Sequence, residues 1–407
     1  MNEHEETLRL ANEAGHILLE NGAEISRVEE TMQRIAQHYG ADDGNFFVLS
    51  NGIIATGNEY ANARFIPIKG ARLDKVAAVN QVSREVEKDN LSLTQLNLRL
   101  NSIRNMPGKP IWEQILGSAV GAGFFAIIFG GGIQDSLVAC AAGLVLRLFT
   151  AFVSSPLLGR IFGNIAGGLI AAAVCIAAYH TGFGEHLGNM IIGAIIPLVP
   201  GVPFTNGIRD FVNEDYLAGT TRLLDAFVIF LCIAAGVAMA FLFDGIIFDG
   251  LIVLDGMVTS PETHSTGWQL AAALLGTSAF AILFGVPRQN YLDCGLVGAA
   301  GWMTYVALTR LASFTPVEAT FFGAASVLIV SRILAVMRRC PVTVFLICGI
   351  FPLVPGGGLF WTSYYLVADE TRLALSSGFL ALKICIAIAL GIIFIEEIAK
   401  FIPTRHQ

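Results

Sequence analysis

The sequence predicts an α-helical polytopic membrane protein: ten transmembrane helices as two inverted five-helix repeats, preceded by a small N-terminal α+β cytoplasmic domain. Three observations predict it. The 407 residues are 54% hydrophobic and 14% charged, with a mean hydropathy of +0.65, a profile that soluble domains of this length rarely approach. The charge is uneven, because residues 1–109 hold 12 of the 25 Lys and Arg and 15 of the 32 Asp and Glu. Finally, the pentapeptide PLVPG stands at 197–201 and again at 352–356, each time inside a long apolar run. These features place a cytoplasmic domain over 1–108 and membrane repeats over 109–265 and 266–407.

Composition also excludes several classes. The acidic opening MNEHEETLRL lacks the basic start and apolar run of a signal peptide, so the N-terminus is expected to stay in the cytoplasm. Cys140, Cys175, Cys232, Cys294, Cys340, Cys348 and Cys385 lie in or beside apolar segments without C-x-x-C spacing, which argues against disulfides and metal. The net charge is −7 and no basic run suggests nucleic acid. No cofactor is expected.

In the polar segment, residues 4–20 put Leu8, Ala11, Gly15 and Leu18 on one helical face, and Asn21-Gly22 then stops the helix. SRVEETMQRIAQHYG follows, with Ser26 as expected N-cap, Glu29 as its capping-box partner, Glu30 and Arg34 paired at i, i+4, and Gly40 closing the end. FFVLSNGIIAT carries a hairpin signal at Asn51-Gly52, and residues 64–68 make a third strand. Helices over 72–88 and 91–104 run up to the breaker NMPGKP.

The stretch NGAEISRVEETMQRIAQHYG resembles the N-terminal signature of the bacterial threonine/serine exporter family, which joins such a domain to ten membrane helices. The resemblance extends over nearly the whole chain, including a second five-span module that some bacteria encode separately. Some descriptions call this domain hydrolase-like. Here Ser26 reads as a cap, and His16 and His38 sit on helices without paired carboxylates, so no nucleophile with a base is evident.

A spanning helix needs about 20 mostly apolar residues, and the chain supplies ten candidates. They lie near 112–131, 134–153, 157–180, 187–209, 219–243, 267–286, 290–311, 316–336, 341–366 and 373–397. SSPLLGR separates the second from the third. With the N-terminus inside, Lys109, Arg160, Arg209, Arg222, Arg288, Arg332, Arg338, Arg339, Lys400 and Arg405 collect at cytoplasmic ends. The opposite side collects Arg310, Arg372 and the acidic linker FDGIIFDGLIVLDG.

The two pentapeptides are 155 residues apart, and the same shift lays FAIIFG (125–130) on FAILFG (280–285), Gln134 on Gln289 and Gly143 on Gly298. An odd number of spans per copy makes the second copy enter from the opposite face. Interrupted helices at matching places of inverted repeats point to the binding site of a secondary transporter. Proline removes a backbone N–H and glycine permits positive φ, so amides and carbonyls are freed near the midplane, where they could hold a carboxylate and an ammonium group. The competing reading is a proline kink that serves packing alone.

The expected substrate-binding residues are therefore Pro197, Pro200, Gly201, Thr205, Asn206, Pro352, Pro355, Gly356 and Trp361, with Asp210, Thr362, Ser363 and Tyr364 nearby. Lys383, near the middle of the tenth span, is expected to neutralise a substrate carboxylate or pair with an acid, and Arg147 is a further basic candidate. Asp225, Asp293 and Glu318 are the proton-coupling candidates, each with a structural ion pair or interfacial snorkelling as the alternative. No Walker motif is present, which leaves an ion gradient as the energy source.

The resemblance implies a proton-coupled exporter of threonine and serine in the bacterial inner membrane, with both termini cytoplasmic. Its two-protein relatives imply a second reading, export of succinate, a dicarboxylate. A third keeps the N-terminal domain as an enzyme and the membrane part as its anchor. The partners expected are a small-molecule substrate and the lipid bilayer, with a homo-oligomer left open.

Overall fold

The computed structural model describes residues 2–58, 60–67, 70–89, 91–154, 159–249, 252 and 264–401. The polar segment opens with α1 (Glu3–Glu20) and α2 (Ile25–His38). Between them Gly22 has φ +86°, and the Gly22 and Ala23 amides donate to Leu19 O and Leu18 O. This is the glycine-terminated helix end expected from Asn21-Gly22. Gly40, at φ +75°, closes α2 in the same way, and Arg34 pairs with Glu30 at 2.6 Å.

Four details differ from expectation. α2 starts at Ile25 with Glu24 in the cap position, so Ser26 is already helical and its hydroxyl accepts from Asn213 Nδ2. Glu29 turns instead to the sheet, where it accepts from the Val48 amide at 3.1 Å. The hairpin between β1 (Asn45–Leu49) and β2 (Gly52–Gly57) turns on Ser50-Asn51, because Gly52 already pairs with Leu49. β3 runs from Tyr60 to Phe65, four residues ahead of the expected start. The order β1-β2-β3 is antiparallel throughout.

Strand alternation buries Val48, Ile53 and Ala55 beneath α1 and α2. α3 (Leu73–Asp89) and α4 (Leu93–Arg104) complete the layer. α4 carries a capping box, with Ser92 and Gln95 bonded reciprocally. The resulting core joins Leu8, Ile17, Leu18, Val28, Ile35 and Val79 to Ala218 of the membrane part.

The apolar part begins with α5 (Ile111–Ile128), α6 (Ile133–Phe149, extended by a π-turn over Thr150–Ser154) and α7 (Arg160–His180). α8 (Leu187–Ile195) and α9 (Gly201–Val212) form a bent pair, followed by the long α10 (Tyr216–Ile247). The second set is α11 (Thr266–Leu283), α12 (Tyr291–Leu311), α13 (Pro316–Arg338), the bent pair α14 (Val342–Gly349) and α15 (Gly356–Val367), and α16 (Thr371–Phe401). α11, α15 and α16 each start 155 residues after α5, α9 and α10.

The protein is a multi-pass helical membrane protein by length and composition. Among the described residues, seven helices are long and apolar enough to cross a bilayer, and counting each bent pair as one span brings the number to nine. α12, the expected seventh span, is long enough but less apolar. α10 runs four residues past the expected fifth span and takes in the start of the FDGIIFDGLIVLDG linker, whose residues 250–251 and 253–256 lie outside the described residues. Most of SSPLLGR and Arg405 also lie outside them.

Candidate functional site

Both pentapeptides fold the same way. After Ile195 the chain makes a 3₁₀ turn over Ile196–Leu198, where Pro197 lacks a donor that such a first turn does not use. Val199 is extended (φ −59°, ψ 130°), Pro200 has φ −79° and ψ 58°, and the helix resumes at Gly201, bent by 63°. In the second copy Val354 has φ −65° and ψ 136°, Pro355 has φ −76° and ψ 56°, and the bend is 44°. The Gly201 amide donates to Val199 O and the Gly356 amide to Val354 O, both at 2.8 Å. Each proline is thus the centre of an inverse γ-turn, a conformation its ring pre-sets.

The two breaks touch. A methyl group at Gly201 would lie 2.5 Å from the Phe351 ring, and one at Gly356 would lie 3.0 Å from Ile196 Cδ1. Ile196 and Phe351 are themselves 155 apart, so the contact is reciprocal. Phe351 is held by Phe280 and Phe284, at ring distances of 5.7 and 5.0 Å. Phe280 stacks at 4.7 Å on Phe125, its own equivalent in the first set. Arg147 pairs with Gln114, and at the equivalent positions Trp302 Nε1 donates to Gln269 at 2.7 Å.

Beyond the first break, α9 runs beneath the N-terminal polar segment. The loop Asn21–Glu24 lies along it: Gly22 sits against Val202, Asn206 Nδ2 donates to Gly22 O at 2.6 Å, and the Ile25 amide donates to Asp210 Oδ1 at 3.1 Å. Arg222 of α10 pairs with Asp210 at 2.8 Å and donates to Ala23 O at 2.9 Å. Arg209 pairs with both Glu24 and Glu396, and donates to Thr343 Oγ1, while Glu396 is shared with Arg332. Glu24, Arg209, Asp210, Arg222 and Glu396 are all buried. Burial works to raise the Glu24 carboxyl, but the Arg209 and Arg27 guanidiniums outweigh it and hold the group below its ordinary range.

Beyond the second break, the equivalent positions are aromatic. Trp361 stands where α9 has Asn206, and Tyr364 where it has Arg209. Phe360, Trp361, Tyr364 and Tyr365 form one cluster with Phe241. Four polar atoms around the two half-helices, Thr205 Oγ1, Asn206 Oδ1, Ser331 Oγ and Trp361 Nε1, are buried without a hydrogen-bond partner among the described residues.

A family model for threonine/serine exporters matches residues 9–243, and a second, described as "Threonine/Serine exporter", matches 269–398. The chain belongs to the threonine/serine exporter family. It is accordingly a membrane exporter and not an enzyme. The "Threonine/serine exporter" of Corynebacterium glutamicum is 23% identical over 97% of this chain and 82% of its own length. The "Probable threonine/serine exporter" of Mycobacterium tuberculosis is 24% identical over 98% and 76%. The "Probable succinate transporter subunit YjjP" of Klebsiella aerogenes is 22% identical over 57% of this chain and 92% of its own. No solved structure matches.

In this exporter the expected site residues separate into two groups. Gly201 and Gly356, with the prolines beside them, meet at the crossing of the two bent pairs, whereas Asn206 lies against Gly22 and Trp361 near Gly188. Thr362 and Ser363 spend their hydroxyls on the carbonyls four residues back in α15. Lys383 is not brought to the breaks, because it lies on the exposed face of α16 between Leu382 and Ile386.

The expected proton carriers also lie elsewhere. Asp225 pairs with Arg160 at 2.7 Å, Asp293 takes both oxygens to Arg338, and Glu318 completes a capping box with Thr315. Sequence reasoning missed Glu24 and Glu396, and read Arg209, Arg222 and Arg332 only as charges at cytoplasmic ends. The acid in FIEEIAK, near the end of an apolar span, was the one available signal.

Proposed function

We propose that this chain is a secondary active exporter of threonine and serine, coupled to protons, in the bacterial inner membrane with both termini cytoplasmic. The supporting observation is the duplicated break, with its reciprocal Gly201–Phe351 and Gly356–Ile196 contacts. Such reciprocity is what ten spans in two inverted repeats around a central two-fold would give. The N-termini of α9 and α15 then point toward the crossing with the Val202, Gly357 and Gly358 amides, where a substrate carboxylate finds donors and a favourable dipole. Alternating access is a rocking of one bent pair against the other about that crossing.

The buried charges favour a zwitterion over a dianion. Arg209, Arg222 and Arg332 are balanced by Glu24, Asp210 and Glu396, so an amino acid can exchange with the pairs without leaving net charge in a low-dielectric site. A dicarboxylate would leave two charges uncompensated. The succinate-transporter relative keeps the dicarboxylate reading as the competitor. Asp210 takes the proton-coupling role, because protonating it would release both Arg222 and the Ile25 amide from α9.

The test is counterflow in proteoliposomes with labelled threonine, serine and succinate across an imposed pH gradient. Threonine and serine exchange that follows the gradient is expected. Exchange of succinate alone would transfer the assignment to dicarboxylates.

A further inference from the structure

The seam between the N-terminal domain and the membrane part holds a cavity of about 500 Å³. Arg72, Lys75, Arg104 and Lys109 line it, with Glu20 and Asn21. Four cations around one cavity stand out in a chain with a net charge of −7. Arg72 pairs with Asp74 at 2.9 Å and Arg104 with Glu13 at 2.5 Å. Lys75 Nζ donates to Arg104 O at 2.7 Å, and Lys109 sits 5.2 Å from the centre of the Tyr291 ring. Among the described residues, the lining sets four cations against one acid, Glu20.

Depth narrows the ligand. Lys109 immediately precedes α5, and the opposite wall is Ile282 and Leu283 at the end of α11. Trp112, 62% exposed at the start of α5, marks the level where aromatic side chains sit in the bilayer interface. A group whose negative charge is spread over oxygens that Arg and Lys can share, attached to apolar chains, fits both the cationic lining and the apolar wall. We propose that this cavity binds the phosphate of an anionic phosphodiester, presented at headgroup depth. The site lies beside the Asn21–Glu24 loop, since Asn21 belongs to both and Glu20 immediately precedes the loop.

The experiment titrates purified full-length protein in detergent, following its melting temperature. The probes are short-chain phosphatidylglycerol, short-chain phosphatidylcholine and inorganic phosphate. Phosphatidylglycerol is expected to stabilise the protein where phosphatidylcholine does not, and the Lys75→Gln, Lys109→Gln double variant to weaken binding by about tenfold or more. Stabilisation by inorganic phosphate alone, lost in the same variant, upholds the phosphate site and assigns it to a soluble ligand. Equal responses of wild type and variant to every probe would overturn the proposal. If the double variant melts early without ligand, Lys109→Gln set against Lys109→Arg decides: binding must fall in the first and persist in the second.

Discussion

Gly201 lies against the ring of Phe351, and 155 residues later Gly356 lies against Ile196, so each break of the chain is seated on the other. The two contacts are unequal. Phe351 is stacked on Phe284 and edged by Phe280, and cannot swing aside, whereas Ile196 meets Gly356 with a terminal methyl. Gly201→Ala is therefore expected to cut threonine efflux by about tenfold or more, and Gly356→Ala by much less, since overpacking a rigid core costs about 1–3 kcal/mol. Adding Phe351→Ala to Gly201→Ala should restore part of the flux. Equal losses in the two single variants would contradict this account of the crossing.

Pro200 and Pro355 hold the γ-turns from which α9 and α15 restart. Pro200→Ala and Pro355→Ala restore a backbone donor and free φ, so each break can relax toward continuous helix. Both variants should reach the membrane with normal yield and melting temperature but lose counterflow. Wild-type exchange in both would leave the breaks as packing kinks.

How far the sequence foretold this arrangement depends on which residues carried the signal. The PLVPG pair was legible because proline and glycine constrain the backbone wherever they stand, and the 155-residue offset proved to relate Phe125 to Phe280 and Ile196 to Phe351. Arg209 and Arg222 were misread, because a charge at the end of an apolar run looks the same in a wet loop and beneath another domain. Lys383 was assigned inward on its cost in a bilayer, yet the periodicity of so apolar a helix does not say which face is covered. Ser26 looked like a cap because its spacing to Glu29 is that of a capping box, but tertiary partners, Asn213 and Val48, claimed both side chains.

Glu24 connects the domain to the membrane part through Arg209. Its carboxyl is held below the ordinary value of 4.5, so the folded protein binds this proton less tightly than the unfolded chain. The resulting stability is fully present above about pH 4.5 and is lost as pH falls through the folded value. Glu24→Gln leaves Arg209 with one buried partner fewer, a cost of about 3–5 kcal/mol. The variant should melt earlier than wild type at pH 7, and the gap should narrow below pH 4.5. A gap of the same size at both pH values would show that the charge of Glu24 contributes nothing.

Lys383 and Asp225 provide the contrast. Lys383 is exposed on α16, and Asp225 forms a partly exposed pair with Arg160, an interaction generally worth about 1 kcal/mol or less. Lys383→Ala and Asp225→Asn are each expected to leave the rate and apparent affinity of threonine exchange within about twofold of wild type, a difference of about 0.4 kcal/mol. A tenfold loss in either would bring that residue back to the transport path.

In the proposed cycle, Asp210 is the group through which a proton acts on the fold. Its two oxygens hold different elements, Oδ1 the Ile25 amide of the N-terminal domain and Oδ2 the Arg222 guanidinium of α10. A neutral carboxyl would weaken both bonds together, and the Asn21–Glu24 loop would loosen from α9 while Arg222 sought another anion. In the proposed export cycle a substrate carboxylate takes that role. Asp210→Asn mimics the neutral form, so it should exchange threonine at equilibrium yet fail to concentrate it when a pH gradient is imposed. Uphill transport by this variant at the wild-type rate would remove Asp210 from the coupling step, whereas loss of exchange and gradient-driven transport together would mark it as structural.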